Sequence, residues 1–340
     1  MQHEQAPRPL PLFLDLVRQI AERDPAMGRA ALEGLAAYER AARAPPPPAM
    51  PEVARNGAAA LRDHGGSGAP AILIPSLINP PHILDLDAQV SLAAAVAGMG
   101  RRALLLDWGR ASERASLDVG GHIETLLLPL LRHVGEPAAL VGYCLGGTMA
   151  IAAANLAPVE QVVTLASPWN FSLYPEPARA SLAALWRHAM APATALGALP
   201  MEVLQAAFWS LDPARTVTKF ARFASLDAAS DAARRFVQLE DWANQGEPVP
   251  LPAAREMIED LFTADLPGRG EWRVGGKAVS DRLEVRLLNL TAAEDRIAPA
   301  ATAPAGEYVA IPAGHVGMVV GSARGALHSA LARALAPACR

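Results

Sequence analysis

The sequence feature that most constrains the fold is a strand–turn–helix segment around Cys144. A short apolar run, Ala138 to Tyr143, predicts a buried strand, and the alanine-rich run after the turn predicts a helix. The turn, GYCLG over residues 142–146, has the G-x-S-x-G pattern of a nucleophile elbow with cysteine in the serine position. Side chains in place of its glycines would collide with the neighbouring strand and helix. The helix N-terminus would favour the thiolate and offer the Leu145 N–H to an oxyanion.

Cys144 also has a simpler interpretation. Cysteine is often a small buried hydrophobe, and G-x-C-x-G occurs by chance, so the pentapeptide alone favours neither interpretation. The flanking strand and helix signals favour a nucleophile. An acid and a base further along the chain decide between the two.

The composition is that of a globular protein with an apolar interior. The 340 residues are 51% hydrophobic and 19% charged, and the formal net charge of -4 gives no electrostatic reason to expect nucleic-acid binding. Cys144 and Cys339 are the only cysteines, which excludes a disulfide scaffold and a cysteine-rich metal site and fits a reduced, intracellular compartment. We expect no signal peptide and no membrane span, because the first residues lack a basic region leading into an apolar run and no window holds 18 uninterrupted apolar residues.

Strand and helix signals alternate along residues 52–166 and 283–340, and the strands are apolar on both faces. This pattern predicts a mostly parallel sheet with helices on both faces. Besides the strand before Cys144, the expected strands are Ala71 to Pro75, Ala103 to Asp107, Gln161 to Ala166, Leu283 to Leu290 and Glu307 to Ile311.

Residues 167–282 interrupt this alternation with several helix-like runs and no clear buried strand. We interpret them as a helical insertion over the carboxyl edge of the sheet, a lid that shapes the substrate pocket. A second globular domain without a gating role is the alternative. The aromatic side chains of the segment are better explained as its core than as a ligand cage.

We interpret residues 1–51 as an N-terminal helical arm and a proline-rich linker. Apolar residues recur at helical spacing over residues 11–44 and predict one or two amphipathic helices. The proline run Pro45 to Pro48 predicts a stiff polyproline II linker. We expect the arm to lie back on the main body of the protein; a separate packing element or a contact for a partner is the alternative.

A nucleophile, an acid and a base follow one another in the order Cys144, Asp295, His315. Each comes just after a predicted strand, at the edge where open α/β sheets bind their ligands. This chain order is typical of the α/β-hydrolase fold. His315 would take the Cys144 proton or pair with its thiolate, and Asp295 would orient the imidazole. The Leu145 N–H and a second N–H after the first predicted strand, at Leu77 or Ile78, would form the oxyanion hole.

Other residues could fill these roles. Glu294 is the alternative acid, although the register favours Asp295, and Asp107 is better explained as structural. Among the other histidines, His82 could line the mouth of a pocket, and His64 belongs to a glycine-rich loop. The histidines in helix-like stretches are expected to be solvated: His122, His133, His188 and His328.

Several motifs together resemble the polyhydroxyalkanoate (PHA) synthase family, in particular its short members. The resemblance covers residues 70–336. Its motifs are PSLINPPHILDL at 75–86, LDWG at 106–109, GYCLGGT at 142–148, EDRIAP at 294–299 and GHVG at 314–317. A cysteine in the elbow separates this family from most α/β hydrolases.

The resemblance implies an acyltransferase that polymerises 3-hydroxyacyl-CoA into polyester through an acyl-Cys144 intermediate and releases CoA. Asp295 would assist His315, which would act as general base on the attacking hydroxyl. The resemblance implies no metal or bound cofactor, and the family is commonly dimeric and associates with polymer granules in the cytoplasm. Short synthases can also require a second subunit, for which the N-terminal arm is a candidate docking site.

The sequence departs from the family at three places. Arg296 follows the predicted acid, where the family often has histidine, and residues 1–51 have no counterpart in it. The predicted lid is rich in alanine and proline and matches the family only in patches, such as FWSL at 208–211. Two alternatives therefore stay open: an intracellular PHA depolymerase or acyl-CoA thioesterase on the same fold, and a non-catalytic protein of the granule surface.

Overall fold

The computed structural model describes residues 6–43 and 48–336. These residues fall into two compact units, each assembled from two stretches of sequence. Unit 1 is drawn from Met1–Pro47 and Pro200–Gly246, and unit 2 from Pro48–Leu199 and Glu247–Arg340. Most of the predicted polyproline linker, residues 45–47, lies outside the described residues.

Unit 2 is built on an eight-stranded sheet with the strand order β1-β2-β4-β3-β5-β6-β7-β8. β1 and β2 are antiparallel to each other, β2 is antiparallel to β4, and every other pair in the sheet is parallel. The strands are β1 (Glu52–Asn56), β2 (Ala59–Asp63), β3 (Pro70–Ile74), β4 (Arg102–Asp107), β5 (Ala139–Tyr143), β6 (Gln161–Leu165), β7 (Leu287–Ala292) and β8 (Glu307–Ile311).

The central strands are buried along their whole length because both faces of the sheet are covered. Every residue of β3, β5, β6 and β7 is buried, as the continuous apolar runs of the sequence predict. The mostly parallel sheet predicted from the alternating pattern is confirmed. The strand predicted from Leu283 to Leu290 starts later than expected, because β7 begins at Leu287.

Twelve helical segments are numbered here along the described residues. α4 (119–134) and α10 (251–263) each contain a π-helical stretch, His122–Leu127 and Glu256–Thr263 respectively. The others are α1 (Leu10–Ala21), α2 (Pro25–Arg40), α3 (Leu92–Gly98), α5 (Leu145–Ala154), α6 (Glu176–Leu196), α7 (Met201–Ser210), α8 (Pro213–Ala224), α9 (Asp231–Asn244), α11 (Gly317–Val320) and α12 (Arg324–Leu335).

Short elements complete unit 2. Two-stranded pairs join Asp85–Asp87 with Val90–Ser91, Ala198–Leu199 with Val249–Pro250, and Arg273–Val274 with Lys277–Ala278. Single 3₁₀ turns span Pro81–Leu84, Ala111–Arg114, Phe171–Leu173 and Ala300–Thr302.

Unit 1 consists of helices α1, α2, α7, α8 and α9 around a core of their own. Phe220 of α8 packs against the rings of Phe13, Tyr38 and Phe236, at centroid distances of 4.7, 5.8 and 5.2 Å. A Cβ at Gly34 of α2 would lie 1.9 Å from the Phe220 carbonyl oxygen, so these two helix backbones touch. The two helices of the predicted N-terminal arm thus share one core with helices of the predicted insertion.

Three of the five helices of unit 1 begin at side-chain caps. Asp24, Asp212 and Ser230 precede α2, α8 and α9, and each accepts a hydrogen bond from the backbone N–H three residues on, at 3.0–3.1 Å. Such a cap satisfies one of the N–H groups that the first turn of a helix leaves without an intrahelical partner. In residues 6–43 and 48–336, none of the helices has the length and apolarity that a membrane crossing requires.

Candidate active site

Cys144 sits in the strained turn between β5 and α5. Its backbone has φ 55° and ψ -130°, a region that residues other than glycine rarely occupy. Two backbone hydrogen bonds hold it there: the Cys144 N–H donates to the Leu165 carbonyl, and the Gly147 N–H donates to the Cys144 carbonyl, both at 2.9 Å. The side chain is partly exposed. The turn therefore presents the sulfur at the carboxyl edge of the sheet.

The glycines around Cys144 are required by close backbone contacts. A Cβ at Gly146 would lie 2.1 Å from the Ile74 carbonyl oxygen, and one at Gly142 would lie 2.4 Å from the Gly147 Cα. A Cβ at Gly147 would meet the Ser167 hydroxyl oxygen at 2.0 Å. These distances are far below any real Cβ contact, so the steric role assigned to the G-x-C-x-G-G pattern has a direct structural basis.

His315 and Asp295 form a buried pair at the ends of β8 and β7. The His315 Nδ1 lies 2.7 Å from Asp295 Oδ2, and the Asp295 side chain is fully buried. The other carboxylate oxygen, Oδ1, accepts the Ile297 and Ala298 backbone N–H groups at 2.8 and 2.9 Å. Both oxygens of the carboxylate are thereby satisfied, and its orientation toward His315 is set by the turn that carries it.

Cys144 and Asp295 both change the electrostatics of His315. Burial by itself lowers the pKa of the imidazole, but the charges of Cys144 and Asp295 and a hydrogen bond to each raise it to about 10. His315 is therefore an imidazolium at neutral pH when Cys144 is a thiolate. Tyr143 packs against this ring at a centroid distance of 5.1 Å and donates a hydrogen bond to the His315 carbonyl at 3.4 Å.

The other acidic residues and histidines considered from the sequence do not take part in the contact between Asp295 and His315. Glu294 is exposed, and Asp107 accepts the Gly109 N–H at 3.0 Å as part of a turn. His133 and His188 are exposed and His328 is half-buried.

The solvated position expected for His122 is wrong, because this residue is fully buried. Its Nδ1 lies 2.6 Å from the Asp118 carbonyl and its Nε2 lies 3.1 Å from the Arg114 guanidinium. Burial lowers the pKa of His122 to about 4, so it is a neutral core residue.

The loop after β3 runs beside the elbow. Trp108 donates its indole N–H to the Pro75 carbonyl at 3.0 Å, and that carbonyl lies 2.7 Å from where a Gly146 Cβ would be. Leu77 and Ile78, the two expected oxyanion donors of this loop, are both buried. The Ile78 N–H donates to the Ser76 hydroxyl at 3.3 Å. The two amides therefore differ, because only the Ile78 N–H has a hydrogen-bond acceptor among the described residues.

Three polar residues near the elbow were not singled out from the sequence. Ser167 donates to the Gly142 and Leu165 carbonyls at 3.3 and 3.1 Å, and Thr148 donates to the Pro168 carbonyl at 2.6 Å. Tyr174 donates to the Ile297 carbonyl at 2.9 Å. Ser167 has the weak sequence signal of a polar residue just after a strand and Thr148 that of a polar residue inside an apolar run, whereas Tyr174 has no such signal. Among the described residues, no cluster of three or more histidine, cysteine or acidic side chains could hold a metal ion.

Comparison with known sequences finds relatives of this chain among poly(3-hydroxyalkanoate) polymerase subunits. The chain is 27% identical over 285 residues to the poly(3-hydroxyalkanoate) polymerase subunit PhaC of Haloferax mediterranei, and 26% identical over 277 residues to that of Synechocystis sp.. Each alignment covers 74% of this chain, and they cover 55% and 73% of the relatives. The chain is similar to PhaC polymerase subunits. This confirms the resemblance predicted from the motifs, and the word polymerase in these names agrees with the predicted enzyme class.

The match is partial in length and remote in sequence. The chain spans 55% and 59% of the PhaC subunits of Haloferax mediterranei and Haloarcula marismortui, the second of which is 25% identical over 292 residues. No model of a protein family matches the chain.

Solved structures confirm the predicted α/β-hydrolase fold. Epoxide hydrolase A from Mycobacterium thermoresistibile matches with a TM-score of 0.51 and 19% identity, over 84% of this chain and 97% of its own. Est816, described as an N-acyl homoserine lactone degrading enzyme, matches with a TM-score of 0.50 and 18% identity, over 84% and 100% of the two chains. At these identities the likeness shows the fold alone.

Proposed function

We propose that this protein is a PHA synthase-like acyltransferase that polymerises 3-hydroxyacyl-CoA through a Cys144–His315–Asp295 triad. The observation that carries the proposal is a cysteine, in place of serine, at the strained elbow of a chain similar to PhaC polymerase subunits. A thiolate exchanges readily with a thioester, and the acyl-cysteine stays activated for a further transfer.

In the first half-reaction, the Cys144 thiolate attacks the thioester carbonyl of the acyl-CoA. The carbonyl π electrons move to oxygen, and the oxyanion is stabilised by the Leu145 N–H, the first amide of α5. Collapse breaks the bond to the CoA sulfur, which takes the proton of the His315 imidazolium and leaves as CoA. The acyl group is then a thioester of Cys144.

In the second half-reaction, the hydroxyl group of a 3-hydroxyacyl chain attacks the acyl-Cys144 carbonyl. Neutral His315 takes the hydroxyl proton, the ester bond forms, and the Cys144 sulfur leaves as the thiolate. Asp295 stabilises the imidazolium through the 2.7 Å contact with Nδ1. This scheme uses no metal and no resident cofactor.

Leu77 is the better second oxyanion donor. Its N–H has no hydrogen-bond acceptor among the residues that the structure describes, whereas the Ile78 N–H already donates to Ser76. Both belong to the loop that Trp108 anchors beside the elbow. Two amides that do not move during the reaction stabilise an oxyanion without a reorganisation cost.

The partner and the location follow from the same family. The names of the relatives describe a polymerase subunit, which supports a second subunit or a homodimer for this chain. We place the enzyme in the cytoplasm at the surface of its polymer granule, and we assign residues 167–199 and 247–282, the parts of the predicted lid that belong to unit 2, to the cap over its substrate.

The experiment is to incubate the purified protein with 3-hydroxybutyryl-CoA and to follow free CoA and the acyl product together. Release of CoA with insoluble polyester supports the synthase. Release of CoA with free 3-hydroxybutyrate contradicts it and identifies a thioesterase. Cys144→Ala should abolish both signals, and Cys339→Ser, which changes the other cysteine of the chain, should leave them intact. If the wild type is silent with longer acyl chains and a partner subunit as well, the non-catalytic granule protein is favoured.

A further inference from the structure

Tyr174 links the segment after β6 to the turn that carries Asp295. Its hydroxyl donates to the Ile297 carbonyl at 2.9 Å. The N–H of the same residue, Ile297, donates to Asp295 Oδ1 at 2.8 Å, and the second oxygen of that carboxylate meets His315 Nδ1. A continuous path of three polar contacts therefore runs from Tyr174 to the imidazole.

The ring of Tyr174 is held rigidly by its neighbours. It stacks on Phe171 at a centroid distance of 6.1 Å and an interplanar angle of 19°, and it packs against Phe262 of α10 at 4.8 Å. Phe171 is fixed in turn, because its N–H donates to the buried Asp265 carboxylate at 2.8 Å. The hydroxyl is thus presented to Ile297 from a packed aromatic cluster and not from a mobile side chain.

The hydroxyl of Tyr174 stays protonated throughout the working pH range. Burial, and then the negative charges of Cys144 and Asp295, raise its pKa well above the ordinary value. A neutral hydroxyl can only be a donor to a backbone carbonyl. The contact with Ile297 therefore persists in every protonation state of the triad.

We propose that Tyr174 is a positioning residue that fixes the Asp295 turn and so keeps the carboxylate aligned with His315. The peptide group between Ile297 and Ala298 is held from both sides: its carbonyl accepts the Tyr174 hydroxyl, and its N–H, that of Ala298, donates to Asp295 Oδ1. Without the hydroxyl, the turn can tilt and the bond from Oδ2 to Nδ1 loses its geometry. The effect of Tyr174 on catalysis rests on the proposed acyl transfer. The alignment of Asp295 with His315 can be measured without any substrate.

Tyr174→Phe removes the hydroxyl and keeps the ring. The first measurement is the rate at which iodoacetate, an anion, alkylates Cys144 as a function of pH, followed by mass spectrometry of the Cys144 peptide. The rate falls at high pH when the imidazolium loses its proton. Loss of one hydrogen bond should move this fall down by about 0.4 to 1 pH unit, because a poorly aligned carboxylate stabilises the imidazolium less.

Two control variants separate an effect on the position of Asp295 from a general destabilisation of the protein. Tyr308→Phe removes another tyrosine hydroxyl that donates to a backbone carbonyl, that of Pro304. Tyr308 is exposed near the amino end of β8, away from the carboxyl edge of the sheet that carries the triad, so this variant should leave the alkylation profile unchanged. Phe262→Leu disturbs the same aromatic cluster but keeps the Tyr174 hydroxyl, and should lower the melting temperature without moving the profile.

With acyl-CoA substrate, Tyr174→Phe should lower kcat by about 2- to 10-fold and leave KM unchanged, since it alters alignment and not binding. An unchanged alkylation profile overturns the proposal, and so does an equal shift in Phe262→Leu. Loss of a cooperative melting transition in Tyr174→Phe would show that the hydroxyl serves folding, which also overturns it. If the protein has no synthase activity but the profile shifts, the alignment role stands and the proposed function fails.

Discussion

The His315 Nδ1 and the Asp295 Oδ2 lie 2.7 Å apart, although twenty residues separate them in the chain. The contact arises because β7 and β8 are parallel neighbours, with Ala292 paired to Ile311, so the turns that follow them meet at one edge of the sheet. Asp295 comes three residues after β7 and His315 four residues after β8. The geometry of the pair is therefore a property of the strand register.

Asp295→Asn tests this contact directly. The amide keeps the shape of the side chain and removes the charge that stabilises the imidazolium. We expect CoA release to fall by about 10²- to 10⁴-fold, the usual contribution of a positioned acid–base group. Steady-state assays with 3-hydroxybutyryl-CoA measure it. Glu294→Gln, which removes the neighbouring exposed carboxylate, should cost less than twofold; an equal loss would mean that the acid is misassigned.

The stability of the protein should depend on pH through His315. Its pKa rises from 6.5 to about 10 on folding, so the folded state holds the proton more tightly than the unfolded chain. This contribution is fully present below pH 6.5 and is lost as the pH rises through about 10. Calorimetry from pH 6 to 10.5 should therefore show a falling melting temperature. His315→Gln should flatten the decline in that window, and a parallel decline would contradict the assignment.

Alanine at Gly146 and alanine at Gly147 should both destabilise the elbow, but only the second should be rescued by a change at Ser167. Gly146→Ala drives a Cβ into the Ile74 backbone, which cannot move without distorting β3, whereas Gly147→Ala collides with the Ser167 side chain. We expect each to cost about 1–3 kcal/mol or more in the free energy of unfolding, measured in urea. Ser167→Gly should rescue Gly147→Ala in part and should not rescue Gly146→Ala.

Gly325→Ala is the matched control for these substitutions. No atom lies within 4 Å of a Cβ at Gly325, a residue of helix α12. Alanine there should stabilise the protein by about 0.5–1 kcal/mol, because it costs less backbone entropy than glycine in a helix. A loss of stability at this position would undermine the steric interpretation of the elbow glycines.

Unit 1 should depend on the backbone contact between α2 and α8. Gly34→Ala places a Cβ 1.9 Å from the Phe220 carbonyl oxygen and forces the two helices apart. We expect a loss of about 1–3 kcal/mol, together with faster proteolysis of α1 and α2. Leu32→Ala, at an exposed position of α2, should leave both measurements nearly unchanged. Cleavage at the wild-type rate in Gly34→Ala would show that the close contact does not hold these helices.

Some features of the fold are difficult to predict from local sequence patterns, for identifiable physical reasons. The hairpin of β1 and β2 was missed because its strands contain many alanines and charged residues, yet Asn56-Gly57 is a known hairpin signal and Gly57 does adopt a positive φ of 56°. The burial of His122 was missed because helical spacing does not reveal which face of α4 is covered. The packing of α1 and α2 with α8 joins segments that no local pattern connects.

The sequence by itself determined the local structure around Cys144 and the parallel sheet. Close-packed glycines, an apolar strand and a helix start are short-range features, and the alternation of buried strands with helices restricts the topology. Only the tertiary structure decided that Asp295 and not Glu294 meets His315, and that Tyr174 contacts the Asp295 turn. Adjacent residues of a turn differ little in sequence, but the packing around the turn buries one side chain and leaves the other in solvent.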